Sequence, residues 1–218
     1  MQQNNFFKEL VFSIFAIVFV FVFPHIGIMP LFSYVFPVLL FIWLYLKRSG
    51  ENFSSIGFGF KNFEWRAVWI GILTGIGLFC FINYVFFPVA VKIIPLTPAN
   101  LEDFKKVRHN MPVYIFVLAM GWIVGGLYEE IVFHGFIFSR IEKLLPGKYS
   151  TAAAVALTAF IFSLYHIQLG MSGMLNALIA GLGYHLVMLK NKRNTWYAFF
   201  AHGIFDTIGI TCIYLGYW

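Results

Sequence analysis

Residues 111–140 read MPVYIFVLAMGWIVGGLYEEIVFHGFIFSR. From Met111 to Tyr128 the run carries no charge. Glu129 and Glu130 then stand side by side, and His134 follows four residues after Glu130. A membrane-crossing helix needs roughly 20 mostly apolar residues, and this run supplies one over about 112–139. A charged side chain at the middle of a bilayer costs on the order of 3 kcal/mol or more, so such residues face an interior cavity and carry function. The stretch therefore implies membrane helices that enclose polar chemistry.

The rest of the chain agrees. Of its 218 residues 61% are hydrophobic and 11% charged, with a mean hydropathy of +0.82; soluble domains carry about 25% charged residues. The 28 phenylalanines suit lipid-facing and packed helix surfaces. Seven apolar runs are long enough to be spans, at about 6–23, 28–46, 66–87, 112–139, 150–168, 172–189 and 196–216. The expected fold is all-α, a polytopic transmembrane helical bundle of about seven spans, with an eighth, short or re-entrant helix allowed. It forms a single integral membrane domain over 1–218, with its motif core at about 112–216. One basic residue precedes the first run and no small-x-small cleavage site follows it, so the run reads as a retained helix rather than a signal peptide. Residues 49–65 form a glycine-rich, aromatic loop that skims the membrane surface.

Charge sets the topology. Lys8, Lys47, Arg48, Lys61, Arg66, Arg140, Lys143, Lys148, Lys190, Lys192 and Arg193 fall on one side of a seven-span chain, 11 of the 15 Lys and Arg. Lys92, Lys105, Lys106 and Arg108 fall on the other, partly offset by Glu102 and Asp103. The positive-inside rule then gives a multi-pass plasma-membrane protein with a cytoplasmic N-terminus. The net charge of +6 is mostly topology, and no nucleic-acid motif is present.

Small residues mark close helix contacts: Gly71 and Gly75 as GxxxG, then Gly121, Gly125 and Gly126. Asn83, Asn176 and His185 read as interhelical hydrogen bonders. Cys80 and Cys212 have no metal-type spacing and read as inert packing residues.

Three spans hold ionisable groups away from their ends: Glu129, Glu130 and His134; His166; and His202 with Asp206. Residues four apart share a helix face, so Glu130 pairs with His134, Phe162 with His166 and His202 with Asp206. Glu129 is turned about 100° from Glu130, which allows the two carboxylates different tasks. Ser163 lies on another face from His166, so a serine nucleophile is weakly supported. A carboxylate with histidines activates water directly or through a metal. Glu129, His166, His202 and Asp206 are zinc ligands by type, although no HExxH is present. In straight helices Glu129 lies about 15 Å from the basic end of its span, His166 about 24 Å and His202 about 10 Å, so their meeting requires tilt, a later start to the fifth span or an irregular segment.

The segments EEIVFHG (129–135), FSLYH (162–166) and HGIFD (202–206) resemble, in order and separation, the three motifs of the CPBP intramembrane proteases, the CAAX-protease and bacteriocin-processing (Abi) family. The family pattern is EExxxR, FxxxH and HxxxN or HxxxD. The resemblance covers roughly the C-terminal half. It implies an intramembrane endopeptidase, metal-dependent or glutamate-type. Glu129 would activate water with His166, and His202 and Asp206 would stabilise the oxyanion. Glu130 would be supporting, paired with the residue at 134, and Phe162 would pack beside the site. One departure is His134, which stands where the family has arginine. Arginine offers a fixed fork of donors; histidine offers at most two and is charged only when protonated. Asp206 is within the pattern but donates no hydrogen bond as a carboxylate.

The leading expectation is hydrolysis of a peptide bond in a membrane-associated peptide or protein, such as a prenylated C-terminus or a leader peptide, with water entering through a polar cavity open to the cytoplasm. A non-catalytic immunity or scaffold protein of the same fold is the second reading. A proton-coupled transporter is the third, disfavoured because no inverted repeat is evident.

Overall fold

The computed structural model describes residues 2–30 and 32–217. Met1, Leu31 and Trp218 lie outside the described residues, so the span expected over 28–46 and the domain expected over 1–218 are described without them. Among the described residues there is no strand, and seven long helices follow one another: α1 (Gln2–Val22), α2 (Val35–Arg48), α3 (Trp65–Ile93), α4 (Met111–Leu144), α5 (Ser150–Tyr165), α6 (Gly170–Lys190) and α7 (Trp196–Leu215). The chain is an all-α bundle. Five stretches are long and apolar enough to cross a membrane: Phe7–His25, Trp65–Ile93, Met111–Leu144, Ile167–Lys190 and Trp196–Leu215. At 1.5 Å per residue the 14-residue α2 and 16-residue α5 reach only about 21 and 24 Å, short of a hydrocarbon core about 30 Å thick.

The two ends of the bundle differ as the charge pattern anticipated. At the basic end Glu51 accepts from Arg140 Nη2 at 2.5 Å and Nη1 at 3.2 Å, and from Lys143 Nζ at 2.5 Å. Arg193 Nη2 donates to Glu142 Oε1 at 2.9 Å. Burial would raise the Glu51 carboxyl, but the two cations outweigh it and hold the group below its usual range. At the opposite end the 94–110 connection is tied to α7 by His109 N–H donating to Tyr214 O at 3.0 Å, and to the start of α6 by Asn100 N–H donating to Leu169 O at 3.0 Å.

Helix α7 is the axis of the functional half. Gly71 and Gly75 of α3 sit directly on it: a Cβ at Gly71 would lie 3.0 Å from Ala201 N, and one at Gly75 3.0 Å from Ile204 Cβ. On another side α4 approaches α7 through Gly121 and Gly125. Two of the three lone polar residues, Asn83 and His185, bond within their own helices rather than between helices. Asn83 Nδ2 donates to Phe79 O at 2.9 Å and His185 Nδ1 to Gly181 O at 2.9 Å, each a carbonyl one turn back in its own helix. In a dry bundle that carbonyl is the nearest acceptor. Both cysteines are free; Cys212 is half-buried but Cys80 is exposed on α3 and packs no core.

Candidate active site

Irregular backbone brings the three motifs together. From Gly121 to Ile137 helix α4 winds as a π-helix, with i→i+5 bonds; such segments are rare and gather at functional sites. Helix α5 ends at Tyr165, and His166 is its C-terminal cap. The start of α7 is drawn up into the bundle. Thr195 N–H donates to Gly57 O at 3.1 Å and Thr195 Oγ1 to Ile56 O at 3.1 Å, while a Cβ at Gly135 would lie 3.1 Å from that same Ile56 carbonyl. Trp196 therefore starts near the level of Gly135, more than two turns inside the end of α4 at Leu144. This raised start sets His202 deeper than the straight-helix reading places it, and the continuation of α4 to Leu144 does the same for Glu129.

Glu129 Oε2 lies 3.9 Å from His166 Nε2 and 3.9 Å from His202 Nε2. His202 Nε2 is 3.6 Å from Asp206 Oδ2. The far side of each histidine is pinned. His166 Nδ1 is 2.9 Å from Phe162 O; a carbonyl only accepts, so Nδ1 carries the proton and Nε2 is bare. His202 Nδ1 is 2.8 Å from Glu130 Oε1, and by the same logic it donates to the carboxylate. The Nε2 atoms of His166 and His202 and the carboxyl groups of Glu129 and Asp206 thus converge on one another. Such a cluster attracts donors, and water is the simplest. The side chains of Glu129, His166 and Asp206 are 10%, 19% and 27% exposed, whereas Glu130 is wholly buried.

Donor chemistry suits zinc, but spacing does not. A zinc tetrahedron with bonds of about 2.0–2.2 Å has edges of about 3.3–3.6 Å; His202 Nε2 to Asp206 Oδ2 at 3.6 Å meets that limit and the two 3.9 Å separations from Glu129 Oε2 exceed it. Among the described residues no three His, Cys, Asp or Glu side chains are arranged to hold a metal ion.

His134 does not tie to Glu130 as an arginine fork would. Its Nδ1 stands 3.1 Å from Glu130 Oε2, yet neither atom has a hydrogen-bond partner. Its Nε2 is 3.2 Å from Gly181 O of α6 and donates there. A neutral His134 therefore turns a bare Nδ1 toward a carboxylate oxygen, and one proton on either atom is needed to join them. Phe162 packs as expected, its ring 4.6 Å from His166, 5.5 Å from His134 and 6.0 Å from His202. Ser163 Oγ donates to Met174 O at 2.8 Å and takes no part.

Several neighbours went unnoticed in the sequence. Tyr184 stacks on His202 at 4.7 Å and 21°. Tyr34, Tyr128 and Tyr165 lie within electrostatic reach of Glu129. Gly125 leaves room for Asp206, whose Oδ2 would collide with a Cβ there; the same Cβ would lie 3.4 Å from His202 Nε2. Tyr128 and Tyr165 adjoin motif residues, which is the one signal available. Tyrosines inside apolar helices are otherwise indistinguishable from packing residues.

His166 is three residues from Leu169, which accepts from Asn100 of the 94–110 connection, and His25 at the end of α1 packs edge-on to Tyr165 at 4.7 Å. The site thus lies under the connections of the opposite end, because α5 runs its full length before presenting His166. A cavity of about 670 Å³ at that end, between the 94–110 connection and α3, α6 and α7, is lined by none of the motif residues.

Comparison with known protein families gives a match to the part of the chain that carries the motifs. Residues 111–208 match the family model described as type II CAAX prenyl endopeptidase Rce1-like. Searches of curated proteins and of solved structures each found no significant match. The matched segment contains all three motifs, so the part of the chain that builds the site is similar to the type II CAAX prenyl endopeptidases of the Rce1-like kind.

Proposed function

We propose that the protein is an intramembrane endopeptidase that hydrolyses a peptide bond of a membrane-associated substrate with water activated by Glu129. The observation that carries this is the equal 3.9 Å separation of Glu129 Oε2 from His166 Nε2 and His202 Nε2. That gap is too long for a direct hydrogen bond and suits a shared water. The match to an endopeptidase family supports the same reading.

In this reading Glu129 takes a proton from the water as its oxygen bonds to the scissile carbonyl carbon, and the carbonyl electron pair moves to oxygen. His166, its Nδ1–H held by Phe162 O, fixes the water through Nε2. His202 takes up a proton on Nε2 from solvent before the chemical step, donates that N–H as a hydrogen bond to the oxyanion and keeps it throughout. Glu130, behind Nδ1, stabilises that imidazolium. Asp206 accepts from His202 as a carboxylate, or donates to the oxyanion as the acid. Collapse breaks the C–N bond, and Glu129 returns its proton to the departing amine. Every step runs on side chains, and none is routed through a metal. The charge asymmetry further supports a plasma-membrane location with the N-terminus cytoplasmic.

The test is cleavage by purified protein of a panel that includes a prenylated C-terminal peptide and a leader peptide, with and without chelator. General-base catalysis is worth about 10²–10⁴ in rate, so Glu129→Gln is expected to lose that much, and His166→Ala to be similarly impaired. An unimpaired Glu129→Gln enzyme refutes the assignment. Peptide cleavage absent from the wild type favours the immunity or scaffold reading, which His134 in place of arginine motivates.

A further inference from the structure

A second polar cavity, of about 340 Å³, opens at the basic end between α1, α2 and α4. Lys8, Arg48, Arg140 and Lys143 line it, against Glu9 and Glu51. Four cations facing two carboxylates leave two positive charges in excess. Glu51 is already shared by Arg140 and Lys143. Lys8 and Arg48 form no ion pair among the described residues; Arg48 lies over the Phe12 ring at 5.3 Å. Arg140 is buried, with its guanidinium over Tyr45 at 5.4 Å, so the cavity's charge is built into its wall.

The surroundings place this cavity at headgroup depth. Lys47 stands over Trp43 at 5.0 Å, and Trp paired with Lys is the pattern of a membrane–water interface. Away from the cavity, towards the middle of the bundle, α1 and α2 expose apolar side chains, with Phe15 56% and Leu40 55% exposed. A basic cavity between helices at such a boundary suits an anionic lipid headgroup, whose acyl chains would run along those faces.

We propose that this cavity binds the phosphate of an anionic phospholipid headgroup, with Lys8 and Arg48 as its unpaired cations. Arginine supplies a bidentate fork to phosphate and lysine a point charge. The site is separate from the motif residues and independent of the hydrolytic reading.

The test uses the full-length protein in neutral detergent, with binding followed by native mass spectrometry and by the melting temperature. Phosphatidylglycerol, phosphatidylcholine and inorganic phosphate are the probes. Phosphatidylglycerol is expected to bind and to raise the melting temperature of the wild type. Each basic residue near an anionic headgroup contributes enough that Lys8→Gln/Arg48→Gln should bind about 30-fold more weakly, with Lys105→Gln/Lys106→Gln at the opposite end unchanged. If the double variant does not fold, each single variant should show about a five-fold loss. Equal binding of phosphatidylcholine, or undiminished phosphatidylglycerol binding by the variants, overturns the proposal. Full displacement of the lipid by inorganic phosphate keeps the anion chemistry but overturns the lipid as its source.

Discussion

Glu130 lies behind the reacting groups, wholly buried, and touches no position a substrate would reach. Its Oε1 accepts from His202 Nδ1 at 2.8 Å, and this bond sets which nitrogen of His202 faces Glu129. In Glu130→Ala that Nδ1–H loses its acceptor inside the bundle. A hydrogen bond to a charged group is worth about 1.5–3 kcal/mol, and about 1.4 kcal/mol is a factor of ten in rate. The variant should therefore lose about 10- to 150-fold in kcat/KM, through kcat, with KM nearly unmoved. Glu130→Gln should be milder. Its amide oxygen still accepts from His202, and its NH₂ group points at the bare Nδ1 of His134, 3.1 Å from the present Oε2. Exchanging a charged for a neutral acceptor costs about 1 kcal/mol, or roughly five-fold. The assay is steady-state cleavage of whichever panel peptide the wild type accepts, with the melting temperature of each variant measured alongside. Wild-type kcat/KM in Glu130→Ala refutes the positioning role. A Gln variant as impaired as the Ala variant shows that charge, rather than an oriented acceptor, is what His202 needs.

Two further outcomes follow from the packing. Gly125→Ala places a Cβ against Asp206 Oδ2 and 3.4 Å from His202 Nε2; overpacking of this kind costs about 1–3 kcal/mol, so cleavage should fall sharply while Gly77→Ala, with nothing within 4 Å of its Cβ, stays at the wild-type rate. Glu51, held below its usual range in spite of its burial by Arg140 and Lys143, contributes stability that is full above the unfolded carboxyl pKa of about 4.3 and is lost as pH falls through the lower folded value; melting temperatures across acidic pH should show this decline, and Glu51→Gln should flatten it.

The amino-acid sequence alone determined that this is a membrane-type helical chain and which ionisable residues its apolar helices carry. Carboxylates and histidines are so costly in hydrocarbon that Glu129, Glu130, His166, His202 and Asp206 stand out against an apolar background without any knowledge of contacts. The positive-inside pattern likewise separated the two ends, because charge placement is a one-dimensional property of loops. Helix depth was not legible. The raised start of α7 depends on Ile56 and Gly57, distant in sequence, accepting from Thr195, and the π winding of α4 depends on what packs around it. Contacts within the motifs were also set only in three dimensions. His134 was expected to pair with Glu130 from i+4, and its Nδ1 does stand 3.1 Å from Glu130 Oε2, but its hydrogen bond is to the Gly181 carbonyl of α6, and His202 holds Glu130 across 72 positions of chain. A hydrogen bond across helices is set by the distance and angle of two groups that the sequence does not relate, so tertiary structure alone decided which histidine each glutamate serves.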